Sequence, residues 1–500
     1  MNRKQKRMVR IIAIVLAALL VFSAVISAVI SIAYAEEAPV NQYELTMEYL
    51  NEEQALRMSQ RLVYSNTSGR SLDRVVFYAP ANMFRRQSAL FYEAESLNKA
   101  FPNGYLPGGI DLTDVRVNGE DADWGYQGTD EMFLRVACDL EPGESCEFIF
   151  DYYLLLTVNG TFLGVSDGEC RMSDFYFAPA ATDADGEFIL NMPTSYTRYI
   201  DTPAAHFTVN ITLPAGLGIS ASGIESYSEN ENKTRTWTVR AEAVRDFAMV
   251  ITQELKEYSA ATASGVEIHL STSTKKNNDR ILQTAADAIE TCESWFGAFP
   301  FSQIDIVQAD HLPGPLPHTA CLWLPESLLK EGGRSLDHAI RFFVAQQYFG
   351  RSAWVHPASD AWLSDSISEF LAYLMLEEQD GHEAYLTALN EDLVDALQLT
   401  IPGGLVVSSD ASLFTEYEYE IVVRQRGAVV FHELYTAMGR ENLISALKLF
   451  HEKGLITDVL TEMDLVNTLE EASGRSWKNY LTDWVFNVGD YVNQDIFWLD

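Results

Sequence analysis

Hydrophobic periodicity changes once along this chain, and apolar residues that repeat at two different periods cannot all be buried in one kind of layer. From Tyr43 to Thr274 the pattern is that of strands. Segments such as Asp73–Tyr78, Glu131–Leu140, Cys146–Leu156, His206–Leu213, Arg235–Arg240, Asp246–Glu254 and Val266–Ser271 are rich in β-branched and aromatic residues, with stretches of period two. Turn chemistry at Asn118-Gly119, Glu141-Pro142-Gly143 and Pro214-Ala215-Gly216 separates them. Beyond this the period lengthens. Ile281, Ala285, Ala288, Cys292 and Trp295 fall on one face of a helix that ends near Gly297. Helical spacing also predicts helices over Ser335–Tyr348, Ser366–Gln379, His382–Leu399, Gly427–Met438, Asn442–Glu452 and Ser476–Phe486, with a short strand at Gln303–Gln308. The expectation is an α+β multidomain fold: an all-β, sandwich-like domain over 43–274, a mostly helical domain over 275–490 and a tail over 491–500.

Residues 1–35 have a composition of their own. Arg3, Lys4, Lys6, Arg7 and Arg10 precede an uncharged run from Ile11 to Ala35, and Ala33-Tyr34-Ala35 puts small residues at a cleavage position. This predicts a signal peptide or an N-terminal membrane anchor. In either case the excess of positive charge before the apolar run places the remainder outside the cytoplasm, secreted or anchored through residues 11–35. The whole chain has 71 acidic against 35 basic residues, a net charge of -36. Such a field repels phosphate backbones and anionic headgroups, so nucleic acid is excluded as a partner and membrane contact is left to the N-terminal segment. Five cysteines are too few for a disulfide scaffold. Cys138 and Cys146 flank Glu141-Pro142-Gly143 and are candidates to face each other across a hairpin, and Cys292 with Cys321 is a second candidate pair. The alternative is five free or buried thiols.

Two helical segments carry the most specific pattern. Phe342 to Gly350 reads Phe-Phe-Val-Ala-Gln-Gln-Tyr-Phe-Gly, and Trp362 to Ser366 reads Trp-Leu-Ser-Asp-Ser. These resemble the site helices of the membrane alanyl aminopeptidase family, the thermolysin-like (gluzincin) zinc aminopeptidases, which read His-Glu-x-x-His-Gln-Trp-Phe-Gly and Trp-Leu-Asn-Glu-Gly at the same separation. Ser294 to Pro300, Gly427-Ala428 with Leu434, Gly439 and Glu441, and Trp484 extend the resemblance over most of residues 280 to 490. It implies a gluzincin-like peptidase domain after a family-type N-terminal β domain.

The resemblance also implies site residues, and here the chain departs from it. Zinc in such a site needs two His four residues apart on one helix, a Glu beside the first to take a proton from water, and a carboxylate from the next helix. Phe342, Phe343 and Gln346 stand at the first three positions, and Asp365 at the fourth. Phenylalanine has no lone pair, and an amide oxygen is a poor zinc donor. Pro317, in Gly314-Pro-Leu-Pro-His318, takes the place of the Glu that grips a substrate amine, and Arg424 that of the Tyr that stabilises the oxyanion. The expectation is therefore an aminopeptidase-like protein outside the cytoplasm with neither zinc nor peptidase activity. It would hold a peptide or protein segment in the former cleft, or serve as a scaffold.

The alternative is a zinc peptidase with a non-standard ligand set. His338 lies one turn before Phe342, and Asp365 and Glu369 are spaced i, i+4; with His318 these are the candidates for a residual cleft. Their simpler explanation is a solvated helix start and a surface acid pair. Two further motifs fail on their surroundings. Gly164-Val-Ser166-Asp-Gly168 fits a nucleophile elbow only before a helix, and here it lies among strands. His432-Glu433 lacks the second His, with Thr436 in its place.

Overall fold

A computed structural model describes residues 40–486 apart from 51–53, 86–100, 102–103, 159–161, 193–199, 310–311 and a few single positions. The predicted export segment and the C-terminal tail lie outside the described residues, and no helix among those described is long and apolar enough to cross a membrane.

The first half is built of β-sheets. An eight-stranded sheet runs from edge to edge through Ile224–Glu229, Thr234–Val244, Ala205–Pro214, Asn41–Leu50, Ala55–Ser65, Ser145–Leu155, Gly109–Val117 and Glu120–Asp121. Its pairings are antiparallel except one: Asn41–Leu50 lies parallel to Ala205–Pro214, with Asn41 opposite Ala205. Asn41–Leu50 alternates buried and exposed residues, so one face of this sheet is wet and the other packs on the smaller sheets. One four-stranded sheet contains Leu163–Ser166 and Glu169–Ser173, which pair antiparallel around a tight turn with Gly168 at φ 85°. Ser166 thus sits in a hairpin and not at a strand-to-helix turn.

Cys138 and Cys146 are both free thiols in hydrogen-bond contact with each other. They do not face across a hairpin. Phe133–Leu140 pairs with Leu72–Tyr78 and Trp124–Gln127, whereas Ser145–Leu155 belongs to the eight-stranded sheet, so the turn between them crosses from one sheet to the other. Cys292 and Cys321 are buried in different hydrophobic clusters, and both are free.

The second half opens with a five-stranded sheet, ordered Lys256–Ala261, Glu267–Thr272, Gln303–Gln308, Cys321–Leu324, Leu316–His318. Its first two strands lie before residue 274, so sheet pairing carries them with the helical half, and the change of layer precedes Lys256. This sheet is buried on both faces. Ile304, Ile306, Leu322 and Leu324 face the helical core, and Val307, Cys321 and Trp323 face the core of the β half. Strand alternation therefore turns His269 and Asp305 toward the β half. Helices α1 (Asn278–Phe296), α2 (Gly333–Tyr348) and α3 (Trp362–Asp380) follow, and the last two carry the candidate site. Helix α3 begins at Trp362, a turn earlier than predicted, because Trp362 and Leu363 are buried in the helical core. The predicted helix Ser476–Phe486 is shorter, an α turn at Lys478–Leu481 followed by a π turn at Thr482–Phe486.

Candidate functional site

Helices α2 and α3 pack side by side and bring their polar positions together. Gln346 donates from Nε2 to Asp365 Oδ1 at 2.9 Å, and Tyr419 donates from its hydroxyl to Asp365 Oδ2 at 2.8 Å. One turn along α3, Glu369 Oε1 lies 2.7 Å from His338 Nε2. Glu369 Oε2 accepts from Arg424 Nη2 at 2.5 Å and from Arg424 Nε at 3.2 Å. Arg424 Nη1 reaches Glu420 at 2.7 Å, and the guanidinium carbon stands 4.1 Å from the centre of the Phe342 ring. Phe342 is thus the floor under a fixed cation, a cation–π contact. Phe343, the next residue, turns into the hydrophobic core and is fully buried.

The charges respond to this arrangement. Burial pushes the Glu369 carboxyl up, but Arg424 and His338 outweigh it and hold it at about 2. Burial pushes Asp365 up, opposed by Arg424, Tyr419 and Gln346, and its carboxyl stays above the usual range. Burial works against the Arg424 cation, yet Glu369, Glu420 and Asp365 raise it above its ordinary value. Arg424 lies in a seven-residue π-helical stretch, Glu420–Arg426, which follows a capping box formed by Thr415 and Glu418. The i, i+4 spacing of Glu420 and Arg424 is a signal the sequence offers; Tyr419, which reaches Asp365 from the turn before, has none.

The four residues expected to line a residual cleft do not converge. His338 meets Glu369, Asp365 is held by Gln346 and Tyr419, and His318 turns elsewhere, 3.3 Å from Asp246 by Nδ1. Arg351 stands 3.7 Å from Asp246 and donates to the carbonyl of Pro317 at 2.9 Å. Two cavities share Arg351 and Trp354 as walls, one on Asp246 and His318, the other on Gln346 and Asp365. Each has about 10 Å³, room for one water. His432, the near miss by sequence, is a core residue bonded to the Tyr385 hydroxyl at 2.6 Å, and burial pushes it down to about 4.

Solved structures resemble the chain closely in fold. An M1 zinc metallopeptidase point mutant from Deinococcus radiodurans, bound to a Tyr-Ser-Ala substrate, superposes with a TM-score of 0.65 over 89% of this chain and 93% of its own, at 16% identity. The M1 zinc metallopeptidase from the same organism without the mutation gives a TM-score of 0.60 at 17% identity, over 87% and 90%. A two-domain M1 zinc metallopeptidase mutant bound to L-arginine gives 0.62 at 16% identity, over 87% and 92%. No family model and no curated protein sequence matches the chain. The fold is therefore that of the M1 zinc metallopeptidases, a β-rich N-terminal domain followed by a helical one.

Proposed function

We propose that this chain is an aminopeptidase-like protein outside the cytoplasm that has given up zinc and peptidase chemistry and retains the fold as a module for binding or scaffolding. The observation that carries this is Arg424. Its guanidinium, bound to Glu369 and Glu420 over the Phe342 ring, puts a built-in positive charge beside Asp365, where the fold's zinc chemistry belongs. The donors around it do not fit zinc. Phe342 has no lone pair, Gln346 offers an amide, and both oxygens of Asp365 already accept hydrogen bonds. Phe343 stands where a general base is needed, and losing such a base costs about 100- to 10,000-fold. The cavity on Gln346 and Asp365 holds no more than a water, so a bound peptide lies across the mouth of the former cleft and does not insert a side chain there. With Pro317 in place of an amine-gripping Glu, that peptide needs no free N-terminus.

Aminoacyl-coumarin hydrolysis and peptide binding by fluorescence anisotropy test the two parts. We expect no turnover with or without added zinc, and equal binding of peptides with free and acetylated N-termini. Chelator-sensitive turnover that disappears in Asp365→Asn overturns the loss of chemistry; a strict requirement for a free N-terminus overturns the binding mode.

A further inference from the structure

Away from the former site, three ligand-type side chains meet where the two halves join. Glu225 comes from the edge strand Ile224–Glu229 of the eight-stranded sheet, and His269 and Asp305 from neighbouring strands of the five-stranded sheet, where they are register partners. One donor atom from each lies within 4.8 Å of the others. Gln303 clasps the group: its Nε2 reaches Asp305 Oδ2 at 2.7 Å, Glu225 Oε2 at 3.2 Å and the Gly223 carbonyl at 3.3 Å. The Ala221 amide donates to Glu225 Oε1 at 2.8 Å. Glu267 Oε2 stands 3.3 Å from His269 Nε2.

Two features mark this cluster as short of positive charge. Asp305 is 4% exposed, and among the described residues its one side-chain donor is the neutral amide of Gln303. Among the described residues, too, neither Glu225 nor Asp305 forms an ion pair with Lys or Arg, which leaves a half-buried and a buried carboxylate side by side without a cation. Buried carboxylates in that position take up a proton or a metal ion.

We propose that Glu225, His269 and Asp305 bind one divalent transition-metal ion of the zinc class, and that this ion ties the β half to the helical half. One imidazole nitrogen with two carboxylate oxygens is a zinc-type donor set; magnesium and calcium prefer oxygen alone. Two carboxylates neutralise the ion's charge. The donor atoms lie within 4.8 Å of one another, at most about 1.4 Å beyond the edge of about 3.4 Å that a tetrahedron with arms of about 2.1 Å requires, and side-chain rotation has to close that gap. Gln303, Ala221 and Glu267 act as the outer partners that orient metal ligands. The imidazole and carboxylates leave a fourth position for water, so the site is a structural clasp open to solvent on the His269 side, where the side chain is 37% exposed.

The test is zinc uptake by the full chain, stripped with chelator and then equilibrated with zinc or calcium at pH 7.5, read by elemental analysis and by melting temperature. One equivalent of zinc, little calcium and a zinc-dependent rise in melting temperature are expected. His269→Ala, at a partly exposed position and checked for fold by circular dichroism, abolishes that rise. Gln303→Ala weakens uptake by about 10- to 100-fold. The proposal is overturned by uptake well below one equivalent, by a preference for calcium, or by uptake unchanged in both His269→Ala and Glu225→Gln. Zinc lost only in Asp365→Asn also overturns it, and in that case the reading of the former site falls separately.

Discussion

The cluster around Arg424 and the cluster around Asp305 are both rich in buried acid, and they resolve that burden in opposite ways. At the former site the compensating cation belongs to the chain: Arg424 serves Glu369 and Glu420, and Asp365 is held by neutral donors. At the seam between the halves, Glu225 and Asp305 share a neutral amide from Gln303 and have no Arg or Lys beside them among the described residues. Burial pushes Glu225 up to about 7, and burial with Glu225 close by raises Asp305 well above the carboxylate range. Charge balance, more than kinship of a motif, tells which acidic cluster wants an external cation.

The largest effect that separates the two is loss of the internal cation. Arg424→Met leaves the buried Glu369 with His338 alone and takes the cation from the partly exposed Glu420, and should lower unfolding free energy by about 3 kcal/mol in urea titration, toward the low end for buried pairs because a quarter of the Arg424 side chain is exposed. Glu225→Gln in chelator at pH 8 has the opposite sign. It removes a carboxylate whose charge burial disfavours and should stabilise by about 1 kcal/mol. Destabilisation by Glu225→Gln under those conditions would break the comparison.

Titration sharpens it. The raised Glu225 carboxyl contributes stability that is fully present below its unfolded value of about 4.5 and is lost as pH rises through about 7. The depressed Glu369 carboxyl contributes stability that is present above about 4.5 and lost only as pH falls through about 2. Melting temperatures of metal-free wild type and Glu225→Gln should therefore converge on acidification from pH 8 to 4.5, whereas Glu369→Gln stays below wild type throughout that range. Two core histidines run against Glu225. Burial holds His432 and His451 down to about 4, so their contribution is present above about 6.5 and lost as pH falls to 4, on the order of 2 kcal/mol each. His451→Phe should flatten that part of the profile.

Another substitution probes the packing that holds the former site closed. A Cβ on Gly427 would collide with the Ser366 side chain, which is bonded to the Val423 carbonyl at 2.6 Å. Gly427→Ala should cost about 1–3 kcal/mol in thermal or urea unfolding and leave zinc uptake at the seam unchanged.

The helical half was readable from sequence because its information is local. Spacings of three and four mark α1, α2 and α3, and helix register puts Phe342 and Gln346 one turn apart on α2; that Asp365 of α3 belongs beside them is implied only by the resemblance to the aminopeptidases. The predicted helix starts at Ser366, yet burial of Trp362 and Leu363 extends it back to Trp362. Tyr419 and Glu420 enter the site from a segment more than 50 residues downstream, so no local pattern announces them. The seam cluster was illegible for the same reason. Glu225, His269 and Asp305 come from three strands in two sheets, and a period of two says which face a residue takes but not which strand lies opposite.

The parallel pairing of Asn41–Leu50 with Ala205–Pro214 has a kinetic consequence. The strand sits in the middle of the eight-stranded sheet, so one of its two ladders cannot form until the chain has been made past Pro214. Closing so long a loop is slow, and meanwhile that flank of the strand stays unpaired. Refolding of the β half should be rate-limited by this one long-range contact, and a chain interrupted before Ala205 would offer an open strand edge to its neighbours.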